Sequence, residues 1–234
     1  MKNYSNKYFD SNVEFNSKKG LYKLRNNFSK NGFFIKKNSD YHYSLMLKDK
    51  WRFLNNCRRV LDIGFGRGQF MKTAPPSIDM YGIDVVEKEV IDLKKQGYKV
   101  KFCDVTKDLP YKDSFFDGVT MFHILEHLGE PEEAIKNIKR VLVNRGIILI
   151  AVPNFKFKDF YKDYTHKRPF PPEALYRILA DNDFYDIKII KGAYLNKYLS
   201  ALFLFFPRFR YSIEKLIGKI SPWEYMVIAK NEKN

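Results

Sequence analysis

The chain has 234 residues and a hydrophobic share of 45%, enough for a full core in one large domain or in a domain with a modest extension. Two cysteines, Cys57 and Cys103, are too few for a disulfide framework or a metal knuckle. The net charge of +15 suits nucleic acid, anionic lipid or a phosphorylated molecule, but it is spread along the chain rather than blocked. That spread weakens the nucleic-acid case, and a Lys- and Asn-rich codon usage accounts for the charge equally well.

In chain order, residues 1 to about 45 mix Lys, Asn, Tyr and Phe without periodicity and read as an extension ahead of a domain over 46–234. The opening MKNYSNKYFD has no apolar signal core, so the expected location is cytoplasmic. From about Tyr43 to Asn55, Leu45, Leu47, Trp51 and Leu54 give a helix one apolar face. Val60, Leu61 and Ile63 read as a short buried strand, and Gly64, Gly66 and Gly68 turn the chain toward a helix over Gln69 to Thr73, stopped by Pro75 and Pro76. Such a turn is expected to bring bare backbone N–H groups against an anionic or polar ligand.

Met80 to Ile83 is the second strand, followed by a helix over Glu87 to Gln96 that Gly97 ends. In the third strand Tyr98, Val100 and Phe102 alternate with Lys99 and Lys101, a half-exposed pattern that suits a sheet edge. A fourth strand runs from about Phe116 to Phe122. Pro131 opens a helix whose apolar face is Ala134, Ile135, Ile138, Val141 and Leu142. IILIAV then reads as a central parallel strand, Pro171 to Asp181 as a helix, and DIKII and EYMVIAK as the last strands. This alternation predicts a doubly wound α/β sheet. Between the last two strands, residues 192–222 form an insertion with an aromatic and basic character. It suits a helix packed against the N-terminal segment or a second subunit, or, through 199–220, one that lies on a membrane surface or grips a lipid-linked substrate.

The spacing G-x-G-x-G after Asp62 departs from the nicotinamide fingerprint, because Gln69 stands where a third-position glycine is needed. Asp84 follows Gly66 by eighteen residues, at the end of MYGID, where a carboxylate can accept from both hydroxyls of a ribose. VLDIGFGRG followed by YGIDVVE resembles the first two motifs of the class I S-adenosylmethionine-dependent methyltransferases. The resemblance implies a mostly parallel seven-stranded sheet with the cofactor across the carboxyl ends of the first strands. It also implies roles for Asp62, Gly64, Gly66 and Gly68 at the methionine end, Asp84 and Val85 at the ribose, and Asp104 and Val105 at the adenine. An Asx-type turn is the structural alternative for Asp104. In that family, segments ahead of the first strand often fold over the site, so 1–45 is either a lid or a frayed tail.

His123, Glu126 and His127 form H-x-x-E-H, which is also an inverted zinc-protease signature. Here His123 directly follows a strand instead of sitting inside a long helix, and no metal is assigned. By resemblance, His123 lines the methionine end while Glu126 and His127 border the acceptor. The stretch Asp163 to Glu173 resembles the D-x-T-H-x-R-x-F segment of small-molecule and sugar methyltransferases. His166 there is a candidate base or a structural histidine that ties the loop to the sheet, and His127 is a second candidate base, with Glu126 to orient one of them. The expected activity is direct methyl transfer to an oxygen of a small metabolite or a glycan precursor. An RNA acceptor is the competing reading and a cofactor-binding scaffold without turnover the third.

Overall fold

The computed structural model describes residues 43–158, 160–192 and 222–233, with four isolated helical positions, Phe209, Ser212, Ile213 and Leu216. The extension over 1–45 and the insertion over 192–222 lie outside the described residues apart from their edges and those four positions.

Seven strands make the sheet: β1 (Arg59–Ile63), β2 (Asp79–Asp84), β3 (Lys99–Phe102), β4 (Phe116–Phe122), β5 (Leu142–Pro153), β6 (Phe184–Gly192) and β7 (Glu224–Asn231). Their order is β3-β2-β1-β4-β5-β7-β6. The first five pair in parallel with their neighbours, and β7 runs antiparallel between β5 and β6. Helix α1 covers 43–50, α2 Glu87–Lys95, α3 Pro131–Val141 and α4 Pro172–Ala180.

Burial on both faces explains the unbroken apolar runs of β1 and β5. Val60 packs with Leu47, Trp51, Leu54, Val90 and Leu93 under α1 and α2. Its neighbours Leu61 and Ile63 point the other way, into the layer under α3 and α4 with Ile135, Ile138, Leu175 and Leu179. Both long helices carry acid in the first turn and base in the last, as the helix dipole favours.

Two local expectations fail. The glycine turn leads not into an α-helix but into a single 3-10 turn, Met71–Thr73. Gly64, Gly66 and Gly68 all take positive φ, so the helix has no room to start before Gln69. Pro75 and Pro76 then offer no amide for a second turn. On β3, Val100 is buried but Phe102, the last residue of this edge strand, is 54% exposed, with no element among the described residues covering its ring.

Helix α3 fastens the loop that leaves β3. Asn137 Nδ2 donates to the carbonyls of Val105 (3.0 Å) and Lys107 (2.7 Å). Arg140 donates to the Leu109 and Tyr111 carbonyls and pairs with Asp108 and Asp113. Asn137→Ala is expected to lower the unfolding free energy by about 1 kcal/mol, the net worth of such bonds at a partly exposed position. An unchanged urea midpoint would show that the loop holds without it.

Candidate active site at the carboxyl ends of the strands

Parallel pairing sets Asp62 of β1 beside Gly82 of β2 and Thr120 of β4, and it sets Asp84 beside Phe102. Both aspartates thus reach the same edge of the sheet. Asp62 is buried, and Thr120 Oγ1 donates to its Oδ1 at 2.7 Å. Burial pushes its carboxyl up to about 7; the Thr120 bond works against this and the neighbouring Asp84 adds to it.

The glycine loop differs from expectation in what its amides do. Gly64 N–H donates to the Ile83 carbonyl, Gly66 N–H to Asp84 Oδ2 and Gly68 N–H to the Phe65 carbonyl, each at 2.8 Å. The glycines therefore supply shape in place of bare donors. A Cβ at Gly64 would stand 2.2 Å from Ile124 Cδ1, and one at Gly68 2.5 Å from Leu93 Cδ2. Positive φ strains any larger residue at both positions, and the Ile124 and Leu93 side chains would also have to move aside.

Asp84 also accepts from the Val86 amide through Oδ1 at 2.9 Å, and burial raises its pKa while the backbone donors at Gly66, Val86 and Val85 restrain the rise. Each carboxylate oxygen keeps a second lone pair for a hydroxyl. Beside it Val85 is 40% exposed, and exposed Phe102 adds an aromatic face at the same edge, one that alternation had placed inward. Asp104 uses Oδ1 to cap its own turn, accepting from the Thr106 amide and hydroxyl, which is the Asx-type use. Val105 is buried in the core, so only its backbone faces that loop. These residues fit S-adenosylmethionine in chemistry: the Asp84 carboxylate keeps acceptor capacity for a hydroxylated ligand, and exposed Val85 and Phe102 offer apolar surface beside it.

A charged network missed from sequence lies at the end of β4. Lys50 Nζ meets Glu224 Oε1 at 2.7 Å, with Lys50 7% and Glu224 8% exposed. Glu224 Oε2 meets His123 Nε2 at 3.0 Å, and His123 Nδ1 lies 3.7 Å from Glu126 Oε1. Burial opposes charge on His123, but Glu126 and Glu224 outweigh it and raise the imidazole to about 9. Burial likewise opposes charge on Glu224, and Lys50 and His123 hold its carboxyl well below the usual range. The clue was Lys50 itself, three residues after Leu47 and four before Leu54, on the apolar face of its helix.

The structure brings Glu126, His127 and His166 together, each offering a ligand atom within 4.8 Å of the others. Glu126 is 1% exposed, and neither of its carboxylate oxygens has a hydrogen bond among the described residues. The His127 and His166 rings lie 4.7 Å apart. One carboxylate and two imidazoles are a donor set able to take a divalent cation or to meet a hydroxyl. Asp62 and Asp84, with Glu126, His127 and His166, thus all sit on strand ends or the segments that follow them.

Between pH 4 and 7 the folded chain keeps the Asp62 proton that the unfolded chain loses, so stability falls as pH rises through that window. Asp62→Asn is expected to flatten this part of the profile, leaving the variant relatively more stable at pH 8 than at pH 5. Parallel urea midpoints for both proteins across that range would count against the buried carboxyl.

Residues 61–150 match the family model described as Methyltransferase domain. An uncharacterised protein of Methanocaldococcus jannaschii is 36% identical over 94 residues, 40% of this chain and 44% of that protein. A ubiquinone biosynthesis O-methyltransferase of Rickettsia prowazekii is 24% identical over 160 residues, 59% of this chain and 62% of that protein. The chain thus spans about half the length of these curated relatives. A solved SAM dependent methyltransferase from Archaeoglobus fulgidus is 27% identical, with a TM-score of 0.61 over 86% of this chain and 100% of that one. Among the described residues no helix is long and apolar enough to cross a membrane. Residues 61–150 thus carry the methyltransferase-domain match, and the sheet order, glycine turn and paired aspartates around them are those of a class I S-adenosylmethionine-dependent methyltransferase fold, with S-adenosylmethionine as the cofactor.

Proposed function

We propose that the protein transfers a methyl group to a hydroxyl oxygen of a small metabolite or glycan precursor. The observation that carries this reading is the convergence of Glu126, His127 and His166 on the sheet edge that also holds Asp62 and Asp84. The cofactor supplies an electrophilic methyl carbon when bound. The protein's part is alignment, exclusion of water and custody of one proton. Asp84 holds a ribose hydroxyl and braces the glycine turn through the Gly66 amide, while Asp62, tied to Thr120 of β4, stands beneath that turn. Asp104 and Val105 border the adenine, and His123 the methionine end. His127 and His166 meet the acceptor hydroxyl, with the buried Glu126 carboxylate beside them.

An RNA acceptor has one specific point in its favour. The run after β5 exposes Tyr161 and Tyr164 among Lys156, Lys158, Lys162, Lys167 and Arg168. Cysteine-based attack on a pyrimidine carbon is disfavoured, since burial, helped by Asp117, pushes the Cys57 thiol up to about 12 and burial also raises Cys103.

A labelled-methyl transfer screen against cell extract, fractionated into RNA, lipid, glycan and small molecules, is expected to label the glycan or small-molecule fraction. Label in RNA would overturn the acceptor class, and cofactor binding with no label would leave a scaffold. Asp84→Ala is expected to weaken cofactor binding at least tenfold, about 1.4 kcal/mol, in calorimetry; unchanged affinity would remove Asp84 from the ribose. His166→Ala is expected to slow transfer about tenfold or more with cofactor affinity within twofold. Undiminished transfer would end its role.

A further inference from the structure

The loop after β5 carries a device that determines which nitrogen of His127 bears the proton. Asp163 Oδ1 accepts from the Thr165 amide at 2.9 Å and from the Thr165 hydroxyl at 2.6 Å. A carboxylate can only accept, so the single hydroxyl proton of Thr165 points at Asp163. Thr165 Oγ1 also lies 3.0 Å from His127 Nδ1. With its proton already committed, the hydroxyl can only accept there, and His127 must donate from Nδ1. The neutral ring then carries its lone pair on Nε2. This is the tautomer that imidazole side chains favour less in water, so the loop imposes it.

The neighbouring ring is oriented by the same logic. His166 Nδ1 lies 2.7 Å from the Phe160 carbonyl, which can only accept, so this ring too donates from Nδ1, with its Nε2 3.8 Å from Asp163 Oδ2. Among the described residues, Glu126, His166 and Asp163 are charged or titratable groups that act on His127. Burial is the largest influence on His127 and lowers its pKa; Glu126 and Asp163 oppose that and His166 adds to it.

We infer that Thr165, itself held by Asp163, is a positioning residue that fixes His127 as an Nε2 base for the acceptor hydroxyl. This rests on the oxygen-methylation reading above for the identity of the proton's source, but not for the tautomer. In the step it serves, the hydroxyl proton passes to His127 Nε2 while the oxygen bonds to the methyl carbon. The carbon–sulfur bond breaks with its electron pair to sulfur, and the proton then leaves to solvent.

The test uses the full chain, labelled with nitrogen-15 in histidine, and two-bond proton–nitrogen correlation spectra above the imidazole pKa. His127→Gln assigns the His127 signals among the four histidines. The wild type is expected to show a protonated Nδ1 and an unprotonated Nε2 at His127. Thr165→Val is expected to shift the ring to the Nε2-protonated form, and Thr165→Ser to restore the wild-type pattern. An Nε2-protonated wild-type ring, or no change in Thr165→Val, overturns the inference. Cofactor affinity by calorimetry is expected to stay within threefold in both variants, which reports that the domain still folds. Methyl transfer to whichever extract fraction the wild type labels is expected to fall at least tenfold in Thr165→Val and recover in Thr165→Ser. A switched tautomer with full transfer refutes His127 as the base, whereas the absence of any wild-type label refutes the methylation reading and leaves the tautomer result standing.

Discussion

Parallel pairing of β1 with β2 on one side and β4 on the other is the constraint on which the site depends. Because the strands run the same way, the residues that end them fall on one edge: Asp62, Asp84 and the segment from His123. A parallel sheet needs helical crossovers on both faces, and those crossovers return the chain to the far edge each time. The loops left on the near edge are then free to carry polar groups, which the buried faces of the strands are not.

That edge concentrates charge at unusual depth. Asp62, Asp84, Glu126, Lys50 and Glu224 are all buried, and each costs desolvation that a bare core would avoid. The Lys50–Glu224–His123 chain offsets much of its own cost by pairing cation with anion. Asp62 offsets less, with one hydroxyl donor and a like charge nearby, and its carboxyl is displaced accordingly. The Glu126 carboxylate has no hydrogen bond among the described residues and meets His123 Nδ1 only at 3.7 Å. Groups kept in that condition mark where a fold holds something other than itself. His123 adds backbone strain at the same place, with φ at +56° outside a glycine.

The two halves of the site were not equally legible. Asp62, Asp84 and the three glycines lie in one short motif and its strand partner, so local spacing exposed them. Even there the sequence suggested donor amides, and only the hydrogen bonds show the loop satisfying itself through Ile83, Asp84 and Phe65. Phe102 misled the alternation argument because an edge strand's last residue escapes the cover that periodicity assumes. Glu224 gave no signal, since its partners Lys50 and His123 are 174 and 101 residues away in the chain.

What the sequence determined by itself was the order of elements, the two-sided burial of β1 and β5, and the placing of small residues at a turn that only positive φ can make. These follow from local sterics and hydrophobic periodicity, which a linear chain carries in full. What the tertiary structure alone decided was which groups meet: His127 with His166, Thr165 and Glu126, and Lys50 with Glu224. Hydrogen bonds and ion pairs act over a few ångströms, and only folding brings distant positions within that reach. The same nearness sets the tautomers of His127 and His166 and the displaced charge of Asp62.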